Sequence, residues 1–137
     1  MSREVFVDTS AWIAVSDGRD KYHPAARAAY TRLLEERRTL VTTNLVVAET
    51  YILIRRRGGH AQALRFLQSL CGSPRLQKVY SDAGLEAAAE AILEAHPDQD
   101  FSFADAVSFA LMQARGLVET FTFDLHFAMI GFQVIPG

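Results

Sequence analysis

The 137-residue chain has one cysteine, Cys71. No internal disulfide can form, and a structural zinc site built from several thiolates is excluded. Lysine is nearly missing: of 14 Lys and Arg residues only Lys21 and Lys78 are lysines. There is no excess of positive charge, the formal net charge being -2, so bulk attraction to a polyanion is not expected. Long hydrophobic runs are lacking too. The most apolar stretch, Leu45 to Ile54, contains Glu49 and is too short to span a bilayer. The segment Met1 to Asp8 lacks the apolar region of a secretory signal. No Gly-rich GK[ST] segment is present, which excludes a P-loop enzyme. These absences predict a soluble, cytoplasmic protein with no membrane partner.

What is present is ordinary globular material. Half the residues are hydrophobic and 22% are charged, enough to bury a core and too apolar for disorder. The length predicts one domain over residues 1–137. Arginine dominates the basic residues and suits bidentate phosphate contacts, but only through a local patch or a bound cation.

Short apolar runs alternate with helical patterns, which predicts a parallel α/β sheet. Strands are expected at Glu4 to Val7, Leu40 to Thr43, Leu76 to Tyr80, Val118 to Phe123 and Phe132 to Ile135. Helices are expected over Thr9 to Val15, Ala25 to Arg38, Leu45 to Arg57, Ala61 to Leu70, a segment ending near Ala95, Phe103 to Arg115, and Leu125 to Ile130. The punctuation supports them. Pro24 suits a first helical turn, Asn44, Ser81 or Asp82, and Ser102 suit N-caps, and Gly58-Gly59 and Gly116 suit helix ends.

Four acids stand out by position. Asp8 and Asp124 follow apolar strands, and Glu49 and Asp105 fall in the early turns of helices. In an open parallel sheet both kinds of position lie at the carboxyl edge, where sites form. Carboxylates crowded there repel unless a cation intervenes. Hard oxygen donors suit Mg²⁺ or Mn²⁺, and an ion so held would make the pocket a phosphate site that activates water. Thr9, Ser10 and Thr122 are accessory candidates that could fix a water or a ligand. Each acid also has a structural reading. Asp8 and Asp124 can cap short helices, Ser102-Phe103-Ala104-Asp105 matches a capping box, and Glu49 can face solvent.

The ordered set Val7-Asp8-Thr9-Ser10-Ala11, Asn44-Leu45-Val46-Val47-Ala48-Glu49, Phe101-Ser102-Phe103-Ala104-Asp105-Ala106 and Thr120-Phe121-Thr122-Phe123-Asp124-Leu125-His126-Phe127, with Gly131-Phe132, resembles the PIN-domain family. Within it, the sequence resembles the VapC-like toxins of bacterial toxin–antitoxin pairs. The resemblance spans nearly the whole chain. It implies a three-layer α/β/α sandwich with a five-stranded, mainly parallel sheet. It also implies a metal-dependent endoribonuclease whose Mg²⁺ or Mn²⁺ is held by Asp8, Glu49, Asp105 and Asp124, with Asp8 and Asp105 the first choices for direct ligands. The partners it implies are an RNA substrate, a cognate antitoxin that inserts a peptide into the site, and a second copy in a homodimer. One departure is His126, where arginine is frequent in similar proteins.

Rival readings are a non-catalytic acidic binding module and another metal-dependent phosphate hydrolase of α/β type. A haloacid-dehalogenase-type phosphatase would want an aspartate two residues after Asp8, where Ser10 stands. His23, His60, His96 and His126 lack zinc-ligand spacing, so histidine ligation is not expected. Arg55-Arg56-Arg57 reads as a solvated helix end favoured by the helix dipole, with RNA or antitoxin contact as the functional alternative. Tyr51 and Trp12 read as core or interface residues, and Cys71 has no nucleophile context.

Overall fold

The computed structural model describes residues 3–137. Five strands and seven helices alternate: β1 (Glu4–Val7), α1 (Thr9–Ser16), α2 (His23–Glu35), β2 (Thr39–Thr43), α3 (Asn44–Gly58), α4 (His60–Leu70), β3 (Leu76–Val79), α5 (Ala83–Ala95), α6 (Phe103–Arg115), β4 (Glu119–Phe121), α7 (Leu125–Ile130) and β5 (Gln133–Ile135). All strand pairs are parallel, in the order β3-β2-β1-β4-β5. The mainly parallel sheet of the sequence reading is therefore wholly parallel.

Position in this order explains composition. β1 lies at the centre, and Val5, Phe6 and Val7 are fully buried, as a strand covered on both faces requires. The edge strands β3 and β5 hold only half-buried or exposed residues. On the α6–α7 side the core is aromatic. Phe109 meets Phe101 and Phe127 edge-on at 5.0 and 4.9 Å between ring centroids, an arrangement that aromatic quadrupoles favour.

Several boundaries differ from the sequence reading. Strand β4 is three residues long, Glu119–Phe121, rather than running from Val118 to Phe123. Its continuation turns to bring Phe123 N–H onto Ser10 Oγ at 2.9 Å. Helix α2 stops at Glu35, before Arg38, because Arg37 takes a left-handed conformation at φ 57°. The N-cap of α3 is Thr43, whose hydroxyl accepts from Val46 N–H at 3.1 Å. The Asn44 side chain instead accepts from Ser81 N–H at 2.9 Å and ties α3 to the segment after β3. Asp82, not Ser81, caps α5.

The sheet order sets the place of a site. From β1 the chain moves to β2 and β3 on one side, then crosses to β4 and β5 on the other. The reversal lies between β1 and β4, and the crevice beyond their carboxyl ends is where such sheets bind ligands. Asp8 follows β1, and Asp124 lies three residues beyond β4.

Candidate active site

That crevice opens into a cleft of about 260 Å³ lined by Asp8, Glu49, Asp105 and Asp124, together with Thr9, Ser10 and Asp20. The four acids picked out in the sequence thus come together from β1, α3, α6 and the turn after β4. Asp8 and Asp105 are buried, while Glu49 and Asp124 are half-buried.

Two of the four are helix N-caps, and a third is the N3 residue of a capping box. Asp8 accepts from Ser10 N–H at the start of α1, and Asp124 accepts from His126 N–H at 2.9 Å at the start of α7. Asp105 closes a reciprocal capping box, accepting from Ser102 N–H while Ser102 Oγ accepts from Asp105 N–H, both at 3.0 Å. The structural readings of these acids hold, and they do not compete with a functional one. Helices α1 and α7 follow parallel strands and α6 leads back into β4, so all three begin at the carboxyl edge and their carboxylates ring the cleft. The positive end of each helix dipole offsets part of the negative charge.

Hydroxyls fix the deepest acid. Asp8 Oδ2 accepts from Ser10 Oγ and Thr122 Oγ1, both at 2.9 Å. The two hydroxyls lie 3.1 Å apart, and Thr122 Oγ1 also accepts from Asp124 N–H at 2.9 Å. Ser10 and Thr122 therefore brace the acid and join the turn after β4 to α1. Thr9 lines the cleft, and its buried Oγ1 has no hydrogen-bond partner.

The charge is costly. Burial, and then the Asp105 carboxylate, push the Asp8 carboxyl up to about 6 despite the hydrogen bonds from Ser10, Thr122 and Thr9. Asp105 is also raised, first by burial; the Ser102 N–H opposes this, Asp124 and Glu49 add to it, and His126 opposes it. Like charges held this way favour protons or a cation.

His126 completes the inner group. Its Nδ1 lies 3.3 Å from Asp124 Oδ1 and 3.6 Å from Asp105 Oδ2, and one ligand atom from each of the three residues falls within a 4.8 Å cluster. Hard carboxylate oxygens with one imidazole fit a divalent cation. The buried Nδ1 without a hydrogen bond supports that fit.

The sequence reading missed the outer wall. Asp20, Tyr22, Arg57 and Phe123 also line the cleft. Arg57 Nη1 lies 3.7 Å from Asp20 Oδ2. Tyr22 stacks on Phe123 at 4.6 Å, nearly parallel, with Lys21 Nζ 4.9 Å from its ring centroid. Of the three arginines that end α3, for which the sequence leaves a solvated helix end or RNA or antitoxin contact open, Arg57 alone lines the cleft. No local motif marks Asp20 or Tyr22, because the α1–α2 connection reads simply as a turn.

A wholly parallel α/β sheet with an acid-ringed cleft at its switch point is an α/β fold whose site could hold a divalent cation. Comparison with known proteins gives the family. The PIN-domain model matches residues 5–133, and the chain belongs to the PIN-domain family. It is 34% identical over 129 residues to the 23S rRNA-specific endonuclease VapC20 of Mycobacterium tuberculosis, in strain CDC 1551 / Oshkosh and equally in strain ATCC 25618 / H37Rv. The match covers 93% of this chain and 95% of the relative. The crystal structure of Mycobacterium tuberculosis VapC20, described as a sarcin-ricin loop cleaving toxin, superposes with a TM-score of 0.86 at 32% identity, over 93% of this chain and 95% of that one.

Proposed function

We propose that this chain is a divalent-metal-dependent endoribonuclease, the toxin of a toxin–antitoxin pair. The observation that carries the reading is the convergence of Asp8, Glu49, Asp105 and Asp124 on one cleft, in a PIN-family chain whose similar relatives are rRNA endonucleases. Asp8 and Asp105 are the direct ligands of Mg²⁺ or Mn²⁺, with Glu49 and Asp124 completing the shell directly or through water. The ion supplies charge neutralisation, polarisation of the scissile phosphate and a more acidic water.

The chain's own residues do the rest. Ser10 and Thr122 hold Asp8 in one orientation by hydrogen bonds. The capping box fixes Asp105, and the N-capping bond fixes Asp124, on rigid helix starts. Glu49 and Asp124, less buried than the other two, are placed to accept a proton from water. Arg57 in the cleft wall, and Lys21 over the outer-wall Tyr22 ring, give local positive charge to a chain that is acidic overall, as phosphate backbone contact requires. The substrate class is RNA, and a structured ribosomal RNA loop is the first substrate to test, given the names of the relatives. A cognate antitoxin and a second copy of the chain are the proposed partners, and the cytoplasm the proposed compartment. Among the described residues no helix is long and apolar enough to cross a membrane.

The test is cleavage of a ribosomal RNA loop by purified protein with Mg²⁺ or Mn²⁺, with EDTA as control. Cleavage should require the ion and disappear in Asp8→Asn and Asp105→Asn. Equal turnover in EDTA, or by purified and folded Asp8→Asn, would overturn the assignment.

A further inference from the structure

The His126 ring is oriented as a ligand would be. Its Nε2 lies 3.0 Å from Asp100 Oδ1. A carboxylate can only accept, so this contact puts a proton on Nε2 and, in the neutral ring, leaves the lone pair on Nδ1. Phe101 packs edge-on against the ring at 5.0 Å, which limits its rotation. Nδ1 is buried and makes no hydrogen bond, although the Asp105 and Asp124 carboxylates lie within 3.6 Å. A lone pair facing two carboxylates is repulsive unless the ring takes up a proton or all three groups share a cation, and a bound cation competes with that proton for the same lone pair. A carboxylate behind a metal-binding imidazole is the usual device that fixes tautomer and direction.

We propose that His126 is a nitrogen ligand of the cation held by Asp105 and Asp124, and that it shifts the site's preference from Mg²⁺ toward transition-metal ions. Imidazole bonds first-row transition ions better than it bonds Mg²⁺, which keeps to oxygen. The site is then a mixed oxygen–nitrogen set rather than the all-carboxylate set read from the sequence. Asp100 acts through the ring as a positioning residue. This inference rests on the metal-dependent reading of the same cleft.

The experiment measures Mn²⁺ and Mg²⁺ binding to the full-length protein by calorimetry, with pulsed electron paramagnetic resonance of bound Mn²⁺ as an independent readout. Wild type should show ¹⁴N modulation from a directly bound imidazole. His126→Gln should lose that signal and weaken Mn²⁺ by about tenfold or more, with Mg²⁺ changing less than about threefold. Asp100→Asn should weaken Mn²⁺ less and retain the nitrogen signal. His126→Phe, which keeps a ring against Phe101, guards against loss of packing and should behave as His126→Gln does. Asp105→Asn tests the underlying site and should abolish Mn²⁺ binding. If wild type binds Mn²⁺ through Asp105 without a nitrogen signal, or His126→Gln and His126→Phe bind it as tightly as wild type, the inference fails and the metal-site reading stands. No Mn²⁺ binding by wild type would overturn both.

Discussion

The two ends of the sheet treat charge in opposite ways. At the amino end, cations and anions are matched. Arg38 pairs with Glu119 at 2.5 Å and with Glu36 at 3.6 Å, and Arg115 reaches Glu4 at 3.0 Å. At the carboxyl end four carboxylates share one cleft, two of them buried, and the guanidinium that lines it is already paired with Asp20. The matched end is arranged for stability. The unmatched end carries a repulsion that a proton or a bound cation relieves, since buried charge without a partner is costly.

The largest expected effect sharpens this contrast at the crowded end. Asp8→Asn should lower RNA cleavage by about 10²–10³-fold or more, the range seen when groups that stabilise transition-state charge are removed. Its metal-free melting temperature should rise by a few degrees, because an amide keeps an acceptor for Ser10 and Thr122 and removes the buried charge. Calorimetry in EDTA checks the second part, and a marked fall in melting temperature would break the comparison.

The next effect is in pH. In the metal-free chain Asp8 holds its proton up to about 6, against 3.8 for an ordinary aspartate carboxyl. Between those values the folded state binds more protons than the unfolded one. This contribution therefore stabilises at low pH and is lost as pH rises through the window, levelling off above about 6. The loss is on the order of 3 kcal/mol, and Asp105 acts in the same direction. Urea unfolding of wild type and Asp8→Asn in EDTA isolates it. The gap in favour of the variant should widen from acid to neutral pH, and a constant gap would count against the buried charge.

At the opposite end, Arg38→Ala should cost about 1–3 kcal/mol, because it leaves the largely buried Glu119 carboxylate without its partner. Cleavage per folded molecule should be unchanged, and a fall in it would show that the two ends are coupled. Arg115→Ala should have the smallest effect, under about 1 kcal/mol by denaturant unfolding, since its contacts to Glu4 and Gln77 are open to solvent.

Much of this contrast was legible before any coordinates. Strands and helices announced themselves through apolar period, Pro24 and the glycine stops. Gly116, for instance, ends α6 in the left-handed conformation that only glycine adopts freely. The four acids were legible because sheet topology sends strand ends and helix starts to one edge. Less legible were features set by contacts distant in sequence. The Thr43 cap displaced the Asn44 cap because Asn44 found Ser81 across 37 residues. Asp20, Tyr22 and Arg57 reach the cleft through packing of the α1–α2 turn and the end of α3, which no local pattern reports. His126 was visible only as a departure, since spacing rules for histidine ligands assume that their partners lie nearby in the chain.

The crevice between β1 and β4 also fixes when the acid-lined cleft can form. The hydrogen bond from Thr122 to Asp8 spans 114 residues, and β4 pairs with β1 across a similar separation. Closing so long a loop comes late in folding. A nascent chain still on the ribosome, with Asp124 not yet emerged, lacks both the fourth acid and the brace that aims the first. Synthesis itself thus withholds the assembled cleft until the turn after β4 has been made, a delay written into strand order.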